Sequence, residues 1–67
     1  MEYGNIVQIL NLEKTSKAFG EVTEMTKYLA NKTPLLVVAI DSDGSVCCEG
    51  PCGVDYSYCI EDLEVLL

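Results

Sequence analysis

Sixty-seven residues allow one domain, 1–67, near the lower limit at which a chain folds alone. An apolar share of 49% excludes a disordered chain, and a net charge of −7 is repelled by nucleic acid and anionic membrane. With no histidine and no arginine there is neither an imidazole base nor a guanidinium clamp. So short a chain also has little room for a ligand-sized pocket, so we expect no enzyme, no catalytic residue and no cofactor.

In chain order, Ile6-Val7-Gln8-Ile9-Leu10 reads as a short strand or extended arm. From Thr15 to Asn31, Ala18, Phe19, Val22, Met25, Tyr28 and Leu29 recur at three and four residues, which predicts one amphipathic helix. Thr15 or Ser16 would cap its start, and Asn31 with Pro34 would stop it. Leu35 to Ile40 is apolar at every position, so this strand is expected to be covered on both faces, the second by helix or by another subunit. Asp41-Ser42-Asp43-Gly44 supplies a hairpin turn, and Ser45 to Glu49 the returning strand. Gly50-Pro51-Cys52-Gly53 breaks that strand.

From Asp55 the spacing of Tyr56, Cys59, Ile60, Leu63, Leu66 and Leu67 predicts a second amphipathic helix, running to the last residue. Ser57, Glu61, Asp62 and Glu64 would line its outer face. The expected fold is a small two-layer α+β unit, β-α-β-β-α, with a central antiparallel hairpin. A third strand, from Ile6–Leu10 or from a partner, would make that sheet viable. The apolar excess points to a homodimer.

Cys47, Cys48, Cys52 and Cys59 are close enough in sequence to consider a zinc site or a redox pair. Adjacent cysteines on a strand face opposite ways, however, and Cys59 fits the packed face of a helix, so reduced structural thiols are the preferred reading. Asp41 to Ser45 resembles the start of a calcium loop, but Val46 and Cys52 stand where that loop needs Gly and Glu. Tyr58 falls off the predicted apolar stripe, beside acids, as an exposed interface anchor would.

Charge is lopsided along the chain. All four basic residues, Lys14, Lys17, Lys27 and Lys32, lie in the first half, where Glu2, Glu13, Glu21 and Glu24 balance them. Asp41, Asp43, Glu49, Asp55, Glu61, Asp62 and Glu64 follow with no basic residue among them. With Tyr58 they form the candidate partner-binding set, complementary to a basic surface on another protein and unsuited to direct contact with nucleic acid or membrane. The opening Met1-Glu2-Tyr3-Gly4 has no secretory pattern, so a cytoplasmic location is expected.

Leu36-Val37-Val38-Ala39-Ile40-Asp41, Asp43-Gly44-Ser45-Val46 and Asp62-Leu63-Glu64-Val65-Leu66-Leu67 together resemble very short proteins encoded by phages and prophages. Some of those proteins inhibit host defence nucleases or DNA-processing enzymes. The resemblance implies a phage-type accessory protein acting in the host cytoplasm, and it assigns no functional residue. Two functions follow as expectations. One is an acidic inhibitor or adaptor, binding where its target would hold nucleic acid. The other is a small cysteine-based metal-binding or redox module, with Cys47, Cys48, Cys52 and Cys59 as its ligands.

Overall fold

Alternation of Ile6, Val7, Gln8 and Ile9, with Val7 and Ile9 buried, builds the first strand, β1 (Ile6–Ile9). The computed structural model describes every residue from Met1 to Leu67. After β1 come two helices, α1 (Glu13–Phe19) and α2 (Thr23–Asn31), then β2 (Leu35–Ile40), β3 (Val46–Glu49), β4 (Asp55–Tyr58), a 3-10 turn (Ile60–Asp62) and β5 (Leu63–Val65). The strands form one antiparallel sheet in the order β4-β3-β2-β1-β5. The fold is α+β, with the β2–β3 hairpin at its centre and β1 as the expected third strand.

Two expectations are corrected. The single helix over Thr15–Asn31 is two helices, because Gly20 adopts φ +89 at the end of α1 and turns the chain. Thr15 is consequently not an outer cap but a buried residue in the first turn of α1. The closing helix from Asp55 is absent, replaced by β4, the 3-10 turn and β5. Its residues also carry a two-residue period: Tyr56 and Tyr58 sit inward on β4 beside Cys48 and Val46, and Leu63 sits opposite Ile9. Ladder bonds to β3 and β1 satisfy that backbone, and aromatic residues favour a pleated, half-buried surface. The Gly50–Gly53 bend is accordingly a turn joining β3 to β4, closed by Gly53 N–H to the Gly50 carbonyl at 3.0 Å.

The core lies between the helices and one face of the sheet: Val7, Ile9, Leu35, Val37, Val46, Cys48, Tyr58 and Leu63 from the strands meet Leu12, Met25 and Tyr28. Each large aliphatic side chain buried there contributes about 1.5–3 kcal/mol. Residues Cys59–Asp62 alone join the two outer strands, β4 and β5. A flat five-stranded sheet would hold those strands roughly 19 Å apart. Five residue steps span roughly 17 Å even when fully extended, and a 3-10 turn is tighter still. The sheet therefore curls around its core, and its other face is convex.

Candidate partner-binding surface

Strand register decides which acids share a surface. Leu36 pairs with Ile6 on one side and Glu49 on the other, and Glu49 pairs with Asp55. These four therefore form one row across the convex face: Ile6, Leu36, Glu49, Asp55. Ala39, Cys47 and Ser57 form the neighbouring row, and Glu64 lies opposite Gln8 on the same face. No helix covers this side of β2, the side expected to be covered by a helix or by another subunit. Leu35 and Val37 are buried, whereas Leu36 is 39% exposed.

Glu49 and Asp55 are like charges directly opposite each other, an arrangement that destabilises a sheet. Asp55 has one internal donor, a weak one, with the Cys47 thiol 3.8 Å from Oδ2. Burial, followed by the charge of Asp55, pushes the Cys47 thiol up. All four lysines belong to the helical layer, in α1, in α2 or at the C-cap of α2. The convex face thus carries carboxylates and no lysine.

The other predicted site residues divide among three places. Asp41 and Asp43 flank the β2–β3 turn. Asp43 Oδ1 accepts the Ser45 N–H at 2.9 Å and lies 2.7 Å from the Ser45 hydroxyl, which also lies 3.1 Å from Asp41 Oδ2. Those bonds hold the Asp43 carboxyl below the usual carboxylate range. Glu61 lies on the helical side, 4.0 Å from Lys14, in an exposed pair that contributes little.

Asp62 and Tyr58 are corrected outright. Asp62 is buried, and its Oδ2 accepts the Thr15 N–H at 2.7 Å, capping the first turn of α1 from the far end of the chain. Tyr58 is fully buried, with its hydroxyl unpartnered, and burial pushes its pKa up. As a core residue on the inner side of β4 it cannot be an exposed anchor.

The cysteines do not converge. Cys48 is in the core, where burial pushes its thiol up to about 12, while Cys47 is on the opposite face of the same strand. Cys52 is exposed in the β3–β4 turn, and Cys59 is half-buried beside Thr15, whose hydroxyl accepts the Cys59 N–H at 3.0 Å. No three His, Cys, Asp or Glu side chains are grouped to hold a metal ion, so the alternative four-cysteine site is not formed. All four thiols are free.

One contact carries no signal in the sequence: Cys52 Sγ lies 3.1 Å from the Tyr28 hydroxyl. Donated to the thiolate, this bond holds Cys52 below the ordinary thiol value and pushes Tyr28 up to about 12. Gly50 permits it, since a Cβ there would overlap the Tyr28 ring.

A cleft of about 230 Å³ opens between the end of α1, the β2–β3 turn and the 3-10 turn, with Phe19, Asp43, Cys59 and Glu61 in its lining. That is smaller than the roughly 300–1,000 Å³ of small-molecule sites. No helix is long and apolar enough to cross a membrane. No family model, no curated protein and no solved structure matches this chain.

Proposed function

We propose that this chain is a small acidic protein-binding module, not an enzyme, acting in the cytoplasm on a basic surface of another protein. The observation that supports the reading most is the separation of charge between the layers. Lysines are confined to the helices, and the convex sheet face presents Glu49, Asp55 and Glu64 with no counter-charge. Such a field accelerates encounter with a basic partner and orients it. In the narrower form of the proposal, the partner is a host defence or nucleic-acid-binding protein, inhibited by occupation of its basic groove. The resemblance to short phage proteins supports that form. One part of it does not carry over, because Leu63–Val65 is a strand where the resemblance rested on a closing helix.

The test is to isolate the partner from host extract and measure its association with this chain at two ionic strengths. A basic partner whose association slows steeply with salt agrees with the proposal. A partner that associates at the same rate in both conditions refutes the electrostatic mechanism.

A further inference from the structure

We infer that the docking surface is the convex face of the sheet, and that its occupant is a protein segment that sets an apolar side chain beside lysine or arginine. This inference rests on the acidic-module reading above and adds where the partner docks and what it must carry. The row Ile6, Leu36, Glu49, Asp55 crosses four adjacent strands, two apolar positions followed by two acidic ones. At roughly 4.8 Å per strand, it spans about 14 Å. A partner matching it places its apolar group over Leu36 and Ile6 and its cation one strand further on, between Glu49 and Asp55.

Three observations single out this face among the acidic places. Glu49 and Asp55 repel each other across the ladder, and a cation between them relieves that repulsion. Asp43, by contrast, is already served by Ser45, and Glu61 faces Lys14. Leu36 adds an exposed apolar group directly opposite Glu49 in the same row. A second copy of this chain is the poorer occupant. The charged groups of its own convex face are all carboxylates, and like charges brought together across an interface cost free energy.

The inference is tested by titrating the ¹⁵N-labelled protein with a synthetic peptide of alternating lysine and leucine, followed by amide chemical shifts. Shifts centred on Ile6, Leu36, Cys47, Glu49 and Asp55 are expected. Affinity should fall about tenfold in the E49Q/D55N variant, equivalent to about 1.4 kcal/mol, and should hold in a D41N/D43N variant. A peptide with serine in place of leucine should bind more weakly. Unperturbed spectra of the free variants report that the fold is intact. Salt-sensitive binding with shifts confined to residues 41–45 and 59–61 overturns this inference and leaves the acidic-module reading standing. Absence of any binding overturns both. Concentration-dependent shifts at Leu36 without peptide show the face to be occupied by a second copy, and also overturn it.

Discussion

At the residue scale, Asp62 and Tyr58 show how much of the apparent acidic surface is structural. Asp62 closes the start of α1, a seven-residue helix whose own N-cap, Leu12, has no side chain to offer. Replacing Asp62 with alanine strands a buried N–H, so the fold should lose about 1–3 kcal/mol in chemical denaturation. Glu61→Gln, which touches only an exposed pair, should change stability by less than about 0.5 kcal/mol. Tyr58→Phe should be neutral or stabilising, because it deletes a buried hydroxyl with no partner. Tyr58→Ala should cost about 3–5 kcal/mol by opening a cavity. The same denaturation curves distinguish these outcomes, and a large loss on Tyr58→Phe would show that the hydroxyl has a partner after all.

At the element scale, sequence and structure agree where one period dominates. Ile6–Ile9, the Asp41–Gly44 turn and the β2–β3 hairpin are as expected, because β-branched runs and a tight Asp-Gly turn have few other solutions. The helical stretch is helical as expected but broken in two, since the apolar period passes through Gly20 while a continuous helix does not. Residues 55–67 differ from the expected helix because two periods coexist there. Tyr56, Cys59, Ile60 and Leu63 fit a helix, and Tyr56 with Tyr58 fits a strand. Only long-range pairing with β3 and β1 decides between them.

The strands also scatter the candidate site. A helix would have put Glu61, Asp62 and Glu64 together, whereas the strands place Glu64 on the convex face, Glu61 by α1 and Asp62 inside. The pairing of Glu49 with Asp55 was not legible, because it depends on register. It carries its own prediction: Asp55→Asn should stabilise the isolated protein by about 0.2–1 kcal/mol, by removing a cross-strand repulsion, while weakening partner binding. Loss of stability on this change would mean that Asp55 is held by the fold and not kept for a partner.

At the scale of the whole molecule, the two layers differ in charge, and groups packed between them set the response to pH. Cys48, Tyr28 and Tyr58 all have folded pKa values above their ordinary values of 9.0, 10.0 and 10.0. Burial is the main cause for Cys48 and Tyr58, and the bond to Cys52 for Tyr28. A raised pKa contributes stability that is fully present below the unfolded value and is lost as pH rises through the folded one. Melting temperature should therefore begin to drop above pH 9.0 and fall further towards about 12, the window set by Cys48. A flat profile across that range would contradict the burial of Cys48 and Tyr58.

Dimer formation was expected from an apolar strand covered on both faces. The structure leaves one face of the sheet without a helix, and the proposal sets a basic partner on its carboxylates. The most direct test of that central claim is the association rate with the isolated partner, measured for the native chain and for E49Q/D55N/E64Q at low and physiological salt. Screening acts over roughly 8 Å at physiological ionic strength. The native chain should associate much more slowly at the higher salt, while the variant is slow at both and dissociates at nearly the native rate. A native rate independent of salt, or a variant that matches it, would contradict the account.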